Sequence, residues 1–145
     1  MRLILSLVVA LPLLIAVPLP SQAQDAEPTP TLVVHVTSDD AWAGLKGLKF
    51  ARNIQTAGGD VVVFLNVCAV TLANANVPQH AGAMSGQTAH DMIAEIVAAG
   101  GRVFTCPGCT RQAGLDVADR IEGVEPGGPA FLDIVMAPDT RIISF

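Results

Sequence analysis

Two runs of β-branched residues, "TLVVHVT" from Thr31 and "VVVFLNV" from Val61, constrain the fold of this chain more than any other feature. The second is apolar at nearly every position, the pattern of a strand covered on both faces of a parallel sheet. Between them lies "SDDAWAGLKGLKFARNIQTAGGD". Here Ser38 or Asp39 can cap a helix, Trp42, Leu45, Leu48, Ala51 and Ile54 recur at helical spacing, and Gly58-Gly59 can end it in a left-handed turn. Strand, helix, strand is a βαβ unit, and such units cross over right-handed and repeat. Asp60, directly after the glycines, reads as the end of that turn.

The repeat is visible further along. A less regular stretch from Cys68 to Gln87 holds a short helix at "AVTLANA". Thr88 and Asp91 then form a capping-box-like start, followed by Met92, Ile93, Ile96 and Val97 at helical spacing. "AAGG" ends that helix, "RVFT" is the next strand, and a helix begins near Cys106. After Asp116 to Ile121 come a loop "EGVEPGGP", a short helix from Ala130 to Met136, and a terminal strand "RIISF". Strands and helices in alternation predict an α/β fold, a three-layer, doubly wound sandwich with a mainly parallel central sheet. A length of 145 residues suits one domain, expected over residues 31–145.

The first residues stand outside that pattern. Met1-Arg2 is a short positive start, Leu3 to Leu19 is apolar apart from Ser6, Pro12 and Pro18, and Ser21-Gln22-Ala23 supplies a small-residue exit. This is the form of a secretory signal peptide over residues 1–23, with Gln24 as the new N-terminus and "QDAEPTP", residues 24–30, as a flexible lead-in. The prolines and the small-residue exit fit cleavage better than a membrane anchor. The expected location is therefore periplasmic or secreted, with no membrane contact after cleavage, in a compartment that permits disulfides. Losing Arg2 takes the formal charge from −5 to −6. With two lysines, Lys46 and Lys49, and scattered arginines, the domain has no basic stripe to neutralise phosphates, so nucleic acid is not an expected partner.

Chemistry points to "RVFTCPGCTRQ". In open parallel sheets, ligands gather outside the carboxyl ends of the strands, and Cys106 sits there directly after a strand. With Cys106 at the cap, Pro107 takes the first helical position, where its fixed φ fits, Gly108 the second and Cys109 the third. Unpaired N–H groups and the positive helix end would face the Cys106 sulfur and favour its thiolate, the nucleophilic form. Arg111 can add positive charge if it points back. Cys106 and Cys109 are thus the candidate catalytic residues, and Arg111, Cys68 and His80 the auxiliary ones.

Other readings compete. A Cys106–Cys109 disulfide is geometrically feasible but closes a tiny loop that adds little chain-entropy stabilisation. Structural zinc needs four ligands, and the chain has one C-x-x-C without a second pair. A soft-metal copper site would enlist His80 or His90. Cys68, after a strand in apolar surroundings, reads first as core packing, although it also lies at a strand's carboxyl end. His35, inside the first strand, reads as packed or hydrogen-bonded, His90 as surface, and His80 as a loop residue able to fold over the strand ends. No cofactor is implied.

Together, "GLKGLKFARNIQTAGGDVVVFLNVCAV", "MIAEIVAAGGRVFTCPGC" and "PDTRIISF" resemble the DsrE-like (DsrE/DsrF/DsrH) family of small sulfur-handling proteins, over roughly residues 31–145. That resemblance implies a three-layer α/β fold, assembly into homo-oligomers such as trimers or hexamers, and sulfur relayed as a persulfide on the cysteine matching Cys106. Sulfur donor and acceptor proteins or small thiols would be its partners. Where many members carry Arg-Gly soon after a second cysteine, this chain has Ala113-Gly114, with Arg111 nearby. Three functions follow as expectations: a sulfur carrier or sulfurtransferase, a thiol–disulfide redox protein using Cys106 and Cys109, and a non-catalytic oligomeric binding module. "CPGC" also looks superficially like a thioredoxin motif, but too few residues follow Cys109 to complete that fold.

Overall fold

The computed structural model describes residues 29–145; the expected leader and most of the lead-in lie outside them. The strands are β1 (Thr31–Val36), β2 (Asp60–Leu65), β3 (Arg102–Thr105), β4 (Val124–Pro126) and β5 (Arg141–Ser144). The helices are α1 (Ala43–Thr56), α2 (Ala89–Ala98), α3 (Pro107–Gln112) and α4 (Pro129–Met136), with a 3-10 helix over Val67–Ala73. All five strands are parallel, in the order β4-β3-β2-β1-β5, with Val33 opposite Val62 and Phe64 opposite Phe104.

The strand order follows from crossover handedness. Successive steps from β1 to β2 to β3 travel one way, so α1 and α2 cover the same face. Val34, Val36, Val61, Val63, Leu65 and Val103 bury that face against Leu48, Ala51, Ile93 and Ile96. From β4 the chain returns to the far edge of the sheet, and α4 therefore lies on the opposite face, where Phe131 packs on Val33, Val62 and Phe104. At roughly 1.5–3 kcal/mol per fully buried large apolar side chain, the first cluster carries most of the stabilisation.

Local signals explain most boundaries. Gly58, at φ 88°, lets α1 end in the left-handed turn that returns the chain to β2. Thr88 and Asp91 make a reciprocal capping box, worth about 1 kcal/mol, and start α2. Asp60 opens β2 and accepts a bond from the Thr31 hydroxyl, a structural role.

Three expectations need correction. The cap before α1 is neither Ser38 nor Asp39: Asp40 Oδ1 accepts the N–H groups of Trp42 and Ala43, because a turn precedes the helix. Trp42, in register with the buried Leu45 and Leu48, is 75% exposed, since the helix begins beyond the edge of the core. The "EGVEPGGP" stretch is not all loop, because Val124–Pro126 pairs with β3 as an edge strand. A strand of three residues ending in proline carries no readable alternation.

Candidate functional site

β3 and β4 release the chain in opposite directions. From Thr105 it passes through Cys106 into α3, which packs against the 3-10 helix and so lies on the side of α1 and α2. From Pro126 it passes through Gly127 and Gly128 into α4 on the other side. Such a divergence, at the carboxyl ends of the strands, marks the place where parallel α/β proteins bind ligands. Gly127 keeps that exit close-packed: a Cβ would lie 3.1 Å from both the Phe64 ring and the Thr105 carbonyl oxygen, tighter than an ordinary contact.

Cys106 sits at this divergence, held by its own backbone. Its N–H donates to the Leu65 carbonyl at 3.0 Å, and its carbonyl accepts from the Thr110 N–H at 3.0 Å and the Thr110 hydroxyl at 2.9 Å. The Cys106 side chain caps α3, with Pro107 in the first helical position, and its sulfur accepts the Cys109 N–H at 3.4 Å. The residue is half-buried. Burial, the largest single influence on this thiol, works against ionisation. The Cys109 N–H, the Cys109 side chain, the Gly108 N–H and the Arg111 charge together exceed it and lower the Cys106 pKa. Arg111 is exposed in the last turn of α3 and acts through its field.

Cys109 has the opposite character. The neighbouring Cys106 side chain raises its pKa most, and burial and the nearby charges of Cys106 and Cys68 add to that, opposed only by the Val67 N–H. The Cys109 thiol also donates to Asn66 Oδ1 at 2.9 Å. Its thiol proton thus goes to the amide oxygen, while its backbone N–H goes to the Cys106 sulfur. The arrangement makes Cys106 the more easily ionised of the two thiols and Cys109 the less.

Asn66 had no place in the sequence reading. It caps the 3-10 helix, its Oδ1 accepting the Val67 N–H, and so ties the end of β2 to the thiol on α3. A polar residue directly after "VVVFL" was the only signal for it. Val67 has φ 53°, a conformation that costs a β-branched residue of order 1–3 kcal/mol. It turns the 3-10 helix so that Cys68 is exposed, which corrects the core-packing reading.

The rest of the expected set divides. All three cysteines are free thiols, and Cys68 lies near enough for its charge to bear on Cys109. His80 does not join them: it is exposed and lines a separate groove with Asp39, Leu45, Thr71 and Gln79. His90, expected on the surface, is half-buried with an unpartnered Nε2, because the first turn of α2 is tucked inward. His35 stacks on Phe64 at 5.6 Å and shares a hydrogen bond with Ser144 at 3.2 Å. Among the described residues, no three His, Cys, Asp or Glu side chains converge to hold a metal ion.

The fold and rim define a parallel α/β protein with a strand-end thiol. The sequence matches the DsrE/DsrF-like family over residues 32–145, and the chain belongs to that family. Its fold is that of the ychN protein from E. coli, with a TM-score of 0.63 at 21% identity over 79% of this chain and 97% of that one. It is equally close to MTH1491 from Methanobacterium thermoautotrophicum, described as a protein of unknown function, with a TM-score of 0.64 at 19% identity over 80% of this chain and 99% of that one. No curated protein matches the sequence.

Proposed function

We propose that the protein carries sulfur as a persulfide on Cys106. The observation behind this reading is the pairing of a half-buried sulfur under backbone N–H groups with a neighbouring thiol whose proton is shared with Asn66. The Cys106 thiolate attacks the outer sulfur of a donor persulfide or thiosulfonate. The donor's sulfur–sulfur bond breaks, the donor leaves as its thiolate or sulfinate, and Cys106 holds the transferred atom as S–SH until an acceptor thiolate takes it.

A second reading is favoured by the nearness of Cys109, whose backbone N–H donates to the Cys106 sulfur at 3.4 Å. Once deprotonated, Cys109 attacks the inner sulfur of the persulfide, hydrosulfide leaves, and a Cys106–Cys109 disulfide remains. Two thiols are oxidised and one sulfane sulfur is reduced. Asn66, by holding the Cys109 proton, opposes that route.

Exposure to glutathione persulfide followed by mass spectrometry separates the readings. A gain of about 32 Da, one sulfur atom, in wild type and Cys109→Ser but not Cys106→Ser supports carriage. A loss of about 2 Da that needs both cysteines supports the redox route. No change in any variant defeats both and leaves the binding module.

Two further parts of the reading concern setting. Export follows from the form of residues 1–23, and N-terminal sequencing of protein from its producing cell should begin at Gln24. Self-association follows from the exposed apolar side chains Leu132 and Met136 on α4 and Ile142 on β5. Met136→Glu should shift the mass in sedimentation equilibrium to that of a monomer. An unchanged mass defeats this assignment.

A further inference from the structure

A second concave site lies away from the thiols. α1 contributes Leu45, Lys46 and Lys49, the residues ahead of it Ala41 and Trp42, and the turn from Gly82 to Gln87 forms the facing wall with Met84; Met92 is the buried floor. The groove is shallow and open along one side.

Its walls are held in place. Gly82 donates to the Gln87 carbonyl at 2.9 Å, and Gly86 donates to the Gly82 carbonyl at 2.8 Å, closing the turn. The Gln87 side chain then accepts from Arg52 at 2.7 Å and donates to Glu95 at 2.6 Å, while Arg52 and Glu95 pair at 2.9 Å. This three-residue network joins α1, the turn and α2. It fixes Met84, 86% exposed, across from Trp42, and two large apolar side chains thus face water over a gap.

Charge narrows the occupant. Lys46 and Lys49 are the chain's only lysines, and both border this groove in a chain of net charge −5. Among the described residues neither takes part in an ion pair; Lys46 Nζ lies 5.6 Å from the centre of the Trp42 ring. An apolar slot with two uncompensated ammonium groups on its rim is complementary to an apolar tail bearing one negative head. Asp39, the acidic residue lining the adjoining groove, would repel that head and orient it toward the lysines.

We propose that this groove binds a single medium-chain carboxylate, its tail between Trp42 and Met84 and its head at Lys46 and Lys49. Trp42 is the only tryptophan and the chain has no tyrosine, so intrinsic emission reports on this groove alone. Titrating the full chain with decanoate below its micelle concentration should give a saturable blue shift. Decanol and decyltrimethylammonium should bind at least about tenfold more weakly, because they lose the charge-assisted contacts. Lys46→Gln with Lys49→Gln, both exposed, should weaken decanoate by at least about tenfold and leave decanol unchanged. Gln87→Leu, which releases the turn without altering the lining, should weaken both ligands.

No saturable shift, equal affinity for all three head groups, or indifference to the double lysine substitution each overturns the proposal. So does binding to phosphatidylglycerol vesicles with silence toward decanoate, which would assign the groove to a membrane surface. Persulfide loading at Cys106 is read separately, and neither result depends on the other.

Discussion

β2 and β3 end side by side, and each passes the chain to a helical turn through a side chain that accepts a backbone N–H. After β2 the acceptor is the amide oxygen of Asn66; after β3 it is the sulfur of Cys106. The first junction is strained, with Val67 at φ 53°. The second is relaxed, with Pro107 already in helical geometry. The same capping geometry thus produces a fixed acceptor on one strand and an ionisable nucleophile on the next. Cys109 hangs between them, bonded to both. Capping by itself does not make a reactive site; the atom that caps does.

The sharpest way to break the comparison is to make the second junction like the first. In Cys106→Ser the hydroxyl can still accept the Cys109 N–H, so α3 keeps its cap and stability should change by less than about 1 kcal/mol in urea melts. Iodoacetamide labelling at pH 7 should lose its fast phase entirely, leaving the exposed Cys68 as the main reacting thiol. A fast phase that persists would place the reactive thiolate elsewhere.

Next in size is removal of the fixed acceptor. Asn66→Ala leaves the Val67 N–H and the Cys109 thiol without their shared partner, and should cost about 1–2 kcal/mol in the same melts. It should also free Cys109 to attack. Under a persulfide donor the product should move from the added sulfur toward the Cys106–Cys109 disulfide, read by mass. A variant that still accumulates only the added sulfur would show that Asn66 does not hold the proton.

Sequence reasoning reached one junction and not the other, for a physical reason. The Cys106-Pro107-Gly108-Cys109 register was legible because proline at the first helical position and a polar atom at the cap are local preferences. The β-branched runs of β1 and β2, the Thr88–Asp91 box and the parallel α/β class were legible for the same reason, and the sheet order agrees with crossover handedness. Asn66 was hidden because its value depends on Cys109, 43 positions away, and that contact exists only after folding. Trp42 and His80 misled in the opposite sense. Helical spacing set Trp42 in register with core positions, and a loop able to fold over the strand ends made His80 an auxiliary candidate, while burial and packing direction decide both.

A smaller effect tests the strain itself. Val67→Gly removes a half-exposed side chain and allows the positive φ without a Cβ clash. The gain from lost strain outweighs the added backbone entropy of glycine, roughly 0.5–1 kcal/mol, if the strain lies in the upper part of its usual range. A rise in stability of up to about 1 kcal/mol is expected. A fall of that size would show that the Val67 side chain, and not the turn, holds this junction together.

The smallest effect separates backbone from charge at Cys106. Arg111 is the last and weakest of the influences that lower this thiol's pKa, and the arginine is exposed. Arg111→Gln should move the alkylation midpoint of Cys106 upward in pH and slow labelling at pH 7 by about twofold, the scale of an exposed charge interaction. In 1 M salt, where screening acts over about 3 Å, wild type and variant should converge. The sign also fixes a stability profile: a thiolate favoured by folding stabilises the native state fully above the unfolded thiol's pKa, about 8.5, and that contribution fades as pH falls through the lower folded value. Cys109, shifted upward, contributes below that same value and loses its contribution as pH rises through its folded one. If Arg111→Gln instead slows labelling more than about tenfold, charge and not the capped backbone keeps the sulfur ionised, since an exposed pair alone supplies far less. The two junctions would then differ by a neighbouring arginine, and the capping atom would cease to explain why only one of them reacts.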